Sequence, residues 1–369
     1  MRPPLAPLLP LLPLLCGCGP TEVLVGDAPG IARIVAGVLG VPHVLTFPDT
    51  ASPGDARAIP LAMPAGIAAA DDGSFYFADR GRRRIAHVDP DGHLEWPIGA
   101  GVCADPGPGS GSPTGVCLGG PNGLALAPDG TLLVADEDGH RVYRFDRSAQ
   151  QVVVVAGNGQ AGRATDGAAA AAAPTNRPAD VAIGPDGRVY VAERGNGRVV
   201  RVASDGVLAV VAGGDVQGDL GDGGLARAAT LIQPAGLAWI GDTLYIADAG
   251  ANRVRRVIHD SIFAYAGLGA RGFAGDRGGV GAALLDSPGH LVAAGTLLLV
   301  ADRGNQRVRI IRVGADSIDT FAGTGATTPG ADLEPVGTTG IPGPAGLAAA
   351  GRLIFISDSG GSVVRRVVR

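Results

Sequence analysis

Two positions break a repeated Pro-x-Gly pattern and a third varies its middle place, and these three carry the side chains in this chain best suited to chemistry. The pattern reads Pro64-Ala65-Gly66, Pro121-Asn122-Gly123, Pro234-Ala235-Gly236 and Pro344-Ala345-Gly346. Asp180 takes the glycine place in Pro178-Ala179-Asp180, His290 takes it in Pro288-Gly289-His290, and Asn122 stands where most copies have alanine. Carboxylate, imidazole and carboxamide are metal donors for zinc or calcium, and they also orient small molecules by hydrogen bonding. Their competing role is plainer: to bond channel water or the backbone of a neighbouring strand.

Three other groups of polar residues recur. Acids close a strand in every copy, at Asp79, Asp136, Glu193, Asp248, Asp302 and Asp358. A reaction needs one asymmetric site, so a residue repeated in every copy reads as a bond partner of backbone amides or of nearby arginine. Asp-Gly kernels recur in Thr165-Asp166-Gly167, Gly221-Asp222-Gly223 and Gly275-Asp276-Arg277. They lack the dense carboxylate ladder of a calcium loop, and aspartate commonly folds a Gly-rich loop onto its own backbone. Arginines gather near the second set of turns, at Arg80, Arg82, Arg83, Arg84, Arg194, Arg198, Arg253, Arg303 and Arg307. Of these, Arg80 and Arg303 are binding candidates for an acidic partner or lipid headgroups.

The elements that must position these side chains follow from the period. Copies begin at Pro64, Pro121, Pro178, Pro234, Pro288 and Pro344, a spacing of about 54 to 57 residues, in the range of propellers and solenoids. Each copy is an apolar strand, a polar turn, an aliphatic strand ending in acid, a second turn and an Arg/Val strand. A fourth strand ending in Ala-Gly follows at residues 152–157, 208–213, 262–267 and 318–323, with a weaker version at 94–99. Four strands per unit is the count of a propeller blade. The last copy lacks its fourth strand, and residues 31–37, Ile-Ala-Arg-Ile-Val-Ala-Gly, supply one at the other end of the chain. The expectation is an all-β, six-bladed propeller of four-stranded antiparallel blades over 31–369, closed by the N-terminal strand completing the last blade. Pro97 then falls on an outer strand, where proline is tolerated. Loops of about 20 residues enter each inner strand where about 2 to 6 are usual, which makes their face the default binding face.

The net charge of −5, and the lack of aromatics among the arginines, argue against nucleic acid. Residues 1–17 read as a secretory leader: Arg2 precedes a Leu/Pro-rich run, and Leu15-Cys16-Gly17-Cys18 is a lipobox that would leave Cys18 lipidated, with 18–30 as its tether. That places the protein outside the cytoplasm, on a membrane of the cell envelope. Cys103 and Cys117 share one Gly/Pro-rich loop, and an oxidising compartment favours a disulfide between them.

The units around Asn252-Arg253-Val254 and Asn305-Gln306-Arg307-Val308 resemble NHL repeats, a six-bladed propeller family, and the resemblance covers about nine-tenths of the chain. It implies fold more than function, since one frame hosts many activities. Two propeller enzymes are similar in fold. Peptidylglycine amidating lyases hold zinc with several axial histidines; this chain has His290 alone there, with His43, His87, His93, His140 and His259 in loops or outer strands. Lactonase-like propellers hold calcium with Glu, Asn and Asp, of which Asn122 and Asp180 are the axial counterparts. The reading is a monomeric, non-catalytic binding or scaffolding propeller for a protein or carbohydrate partner, with no cofactor predicted. Its alternative is a metal-assisted lyase or lactonase, using calcium or zinc near Asn122, Asp180 and His290.

Overall fold

A computed structural model of the chain describes residues 29–39, 54–103 and 110–369. The leader, Cys18, most of the tether and His43 lie outside the described residues. Six antiparallel sheets form the fold. From the inside out, blade one is Pro64–Ala69, Phe75–Asp79, Arg84–Val88 and His93–Ile98. Blades two to five begin at the inner strands Pro121–Leu126, Pro178–Ile183, Pro234–Ile240 and Pro288–Ala294. Each inner strand starts on its proline, the one strand position where a missing N–H costs no ladder bond, and pairing slips just after it.

Blade six comprises Pro344–Ala350, Leu353–Asp358 and Val363–Val368, with Ile31–Ala36 as its fourth strand. That strand pairs antiparallel with the last, Ala32 opposite Val367 and Ile34 opposite Arg365, so the chain ends close the ring as expected. The fourth strand of blade one carries its irregularity around Pro97, where Glu95 pairs with His87 and Ile98 with Ile85.

Four strands per blade holds for blades two, three and four. Blades one, five and six each gain a two-residue outermost strand, Gly54–Asp55, Gly278–Gly279 and Glu334–Pro335. The long loops double back along the rim there and lend backbone to an edge that would otherwise be unpaired.

The core lies between adjacent sheets. Tyr76 and Ile85 of blade one meet Leu132, Val134 and Tyr143 of blade two, and every other interface repeats the arrangement. At the junction of blades six and one, the Phe75 and Phe355 rings lie 4.9 Å apart. Cys103 and Cys117 are disulfide-bonded, with Cα atoms 5.8 Å apart. No helix among the described residues is long and apolar enough to cross a membrane.

Candidate functional site

The recurrent acids are fully buried, and each has protein partners. Asp79 accepts the Ala62 amide at 3.0 Å and the Arg82 guanidinium at 2.9 Å. Asp136 accepts the Gly119 and Gly120 amides, Asp248 those of Ile232 and Gln233, and Asp358 those of Gly343 and Gly361. Glu193 takes Thr175 and Arg198, while Asp302 takes the Asp286 amide and Asn305. Each acid pins the end of the long loop entering its own blade, a task every blade needs. Burial pushes Asp79, Asp248 and Asp302 up to about 6 against the opposing pull of these bonds.

The loop kernels are likewise bonded. Asp222 reaches Arg255 at 2.6 Å, Asp276 reaches Arg309 at 2.6 Å, and Asp166 accepts the Val210 amide and pairs with Arg227. Arg255 and Arg309 are completely buried on the third strands of blades four and five.

At the axis the inner strands crowd together. A Cβ on Gly66 would collide with the Asn122 carbonyl, and one on Gly346 with the Ala65 carbonyl. Asp180 fits because the neighbouring position is Gly123, where a Cβ would strike the Asp180 carboxylate. Asp180 Oδ2 accepts the Leu237 amide of blade four at 2.8 Å, and His290 Nδ1 accepts the Leu347 amide of blade six at 3.4 Å. The remaining atoms face each other, His290 Nε2 lying 3.3 Å from Asp180 Oδ1. Burial pulls the His290 pKa down, but the Asp180 carboxylate more than offsets it and leaves the imidazole above its ordinary value.

This pair stands at the waist of the axial channel. A cavity of about 690 Å³ on the long-loop face and one of about 350 Å³ at the opposite end both have His290 in their walls. The second is apolar, lined by Leu124, Val181, Leu237 and Leu347. Asn122 does not join the pair: its Nδ2 donates to Glu137 Oε2 at 3.1 Å. The three axial candidates therefore divide between two environments in place of one donor set. Asp180 Oδ2 and His290 Nδ1 are taken by backbone amides, while Asp180 Oδ1 and His290 Nε2 are buried and have only each other, at 3.3 Å, so the pair offers two donor atoms at most, short of a calcium or zinc shell without further ligands. Among the described residues no group of three or more His, Cys, Asp or Glu is placed to hold a metal ion.

The larger cavity contains a cluster not foreseen from the sequence. Glu137, only 2% exposed, binds Arg80 at 2.8 Å, Arg177 at 2.8 Å and Arg194 at 3.1 Å. Burial pushes the Glu137 pKa up, yet the combined pull of Arg194, Arg80 and Arg177 wins and holds it below the usual value. Arg303, a candidate from the sequence, also lines the cavity. Enclosure by the walls lowers its pKa, the charges of Arg194 and Arg80 lower it further, and Glu137 opposes them. A signal was available: after each second-strand acid the chain reads Arg80, Glu137, Arg194, Ala249, Arg303 and Ser359, and the lone glutamate departs from the others as Asn122 does.

Known proteins with this architecture are diverse. A family profile described as the teneurin NHL domain matches residues 48–258. Human NHL repeat-containing protein 2 is 27% identical over 322 residues, 76% of this chain and 43% of that protein, so the chain spans under half the length of this curated relative. An auxiliary nutrient binding protein from Bacteroides thetaiotaomicron is similar in structure at a TM-score of 0.64 and 12% identity, covering 91% of this chain and 75% of the other. A gluconolactonase from Xanthomonas campestris is similar at a TM-score of 0.53 and 14% identity, covering 84% and 86%. Both structural likenesses speak to fold alone. With six blades whose inner strands open on proline, buried acids at the end of every second strand and a profile match over more than half its length, the chain belongs to the NHL-repeat β-propeller family.

Proposed function

We propose that this protein is an exported, non-catalytic binding propeller, held at the cell envelope by lipid on Cys18, that receives a protein or carbohydrate ligand on its long-loop face. The observation that carries the reading is the axial cavity of about 690 Å³, a volume typical of ligand sites, opening on that face between polar walls. Likeness to an auxiliary nutrient binding protein supports it. Asn122, Arg80 and Arg303 are the wall residues assigned to ligand contact, with His290 in the same wall and Asp180 behind it.

A ligand screen by thermal shift with peptides and oligosaccharides tests the reading, with Ala345→Trp filling the cavity as the control. The expected result is a ligand whose stabilisation disappears in that variant. A ligand whose binding is indifferent to Ala345→Trp removes the cavity from the proposal. For the anchor, Cys18→Ser should move the protein from the detergent phase to the aqueous phase.

The competing reading is a metal-assisted lyase or lactonase working near Asn122, Asp180 and His290, favoured by the buried acid–imidazole pair and by the gluconolactonase likeness. Stoichiometric calcium or zinc in purified protein, lost in both Asp180→Asn and His290→Gln, would establish it over the binding reading.

A further inference from the structure

We infer that the ligand of the axial cavity is a small molecule bearing a carboxylate, and that Arg303 is the residue that receives it. This rests on the binding reading of the cavity given above.

The first ground is charge. Five arginines and one glutamate line this cavity in a chain whose net charge is −5, so positive charge is concentrated where the protein as a whole is negative. Two further acids stand close by: Asp138 pairs with Arg80 at 2.6 Å and Asp286 with Arg271 at 3.2 Å, which leaves the excess on the Arg194 and Arg303 side.

The second ground is the pseudo-symmetry. Arg80, Arg194 and Arg303 occupy one repeat position in blades one, three and five, and so form a triangle about the axis. Blade two places the Glu137 carboxylate between the first two. The equivalent positions beside Arg303, in blades four and six, are Ala249 and Ser359, which carry no charge. Among the described residues Arg303 has no acidic side chain within salt-bridge distance, although it lines the cavity.

Glu137 shows what these arginines bind when a carboxylate is offered: a group held by three guanidinium ions, each at hydrogen-bond distance. A ligand carboxylate at Arg303 would make one such guanidinium contact on the far side of the triangle. The fork of Arg303, an exposed residue of the wall, supplies two parallel N–H donors to a carboxylate that enters from the open face. The cavity, about 690 Å³, is too small for a folded partner to enter and matches a small molecule.

The test uses the full chain and isothermal titration with glucuronate, glucose and inorganic phosphate at low and physiological salt. Expected are saturable binding of glucuronate, at least about tenfold tighter than glucose and weaker as salt rises, and a loss of about tenfold or more in Arg303→Gln with unchanged melting temperature. Arg303→Lys should recover part of the affinity, because it restores the charge without the fork. Glucuronate binding no tighter than glucose, or unchanged in Arg303→Gln, overturns the inference. Phosphate binding tighter than glucuronate and lost in the same variant overturns the carboxylate assignment. A neutral saccharide or peptide whose binding is abolished by Ala345→Trp but untouched by Arg303→Gln would leave the binding reading standing and this inference alone refuted.

Discussion

At the scale of single residues, Asp180 and His290 use a position that the other blades give to glycine. Each reaches past its own blade to a backbone amide of the next, and together they span the axis. The pH dependence of stability reports on the pair. His290 has a folded pKa above its unfolded value, so it contributes stability that is fully present below about 6.5 and is lost as pH rises through the folded pKa. In Asp180→Asn the carboxylate is gone while burial remains, and burial alone drives the imidazole pKa below its unfolded value. The sign then reverses: the variant loses stability as pH falls below about 6.5. Urea midpoints from pH 5.5 to 8.5 for parent and variant, compared as a difference so that other groups cancel, should slope oppositely around neutrality. NMR titration of the His290 ring should show its pKa falling in the variant. An unchanged His290 titration would remove Asp180 as the cause.

At the scale of the blade, the third strand carries the stabilising charge. Arg255 is fully buried, bonded to the Thr230 carbonyl and to Asp222, and so ties a loop of Gly-rich sequence to blade four. Removing only Asp222 takes away the hydrogen-bonded one of two acids that offset a buried guanidinium, Asp248 remaining, at a cost on the order of 1 to 3 kcal/mol. Replacing both, as Asp222→Ala with Arg255→Met, removes the guanidinium as well and should recover much of that loss. A double-mutant cycle on urea unfolding measures the coupling; additive losses would show that the two act independently. These loops also mark where sequence reading stopped. Strand positions were legible because six copies repeat proline and acid, and five of them Ala-Gly, at nearly constant offsets, and the roles of Asp79 and its equivalents followed from the repetition itself. The two-residue strand Gly278–Gly279 carries no alternation to detect, and its pairing with Ser317 and Ile318 depends on how a long loop returns to the rim. Arg177 escaped for a similar reason. It sits at the end of a loop, and only the ring geometry brings it to Glu137. Glu137 itself was legible as a departure from its equivalents, but it directly follows Asp136, whose recurrence in every blade gives the Asp-Glu pair the look of one structural feature.

At the scale of the molecule, the ring depends on six residues that lie more than three hundred positions from their partners. Ile31–Ala36 completes the sixth sheet, and three contacts fix it from outside the ladder. The Ile34 amide donates to Asp332 at 2.7 Å, Asp332 pairs with Arg57 at 2.7 Å, and the Gly37 amide donates to the Ala56 carbonyl at 2.9 Å. Blades six and one are thereby clamped by both main chain and side chain. Deleting residues 31–36 strips Ala32, Ile34 and Ala36 from the core, with Ile34 alone worth on the order of 2 kcal/mol. It also opens the edge of Val363–Val368, where Arg365 is completely buried in the intact ring. An unpaired edge rich in valine recruits another strand, so the truncated protein should melt at lower temperature and form dimers or larger species in light-scattering chromatography. A synthetic peptide spanning residues 29–37, added in excess, should return it to a monomer and restore part of the lost melting temperature, because the peptide binds the folded state alone. A truncated chain that melts like its parent and stays monomeric would mean that blade six is stable with three strands and that the clamp carries no weight in holding the ring shut.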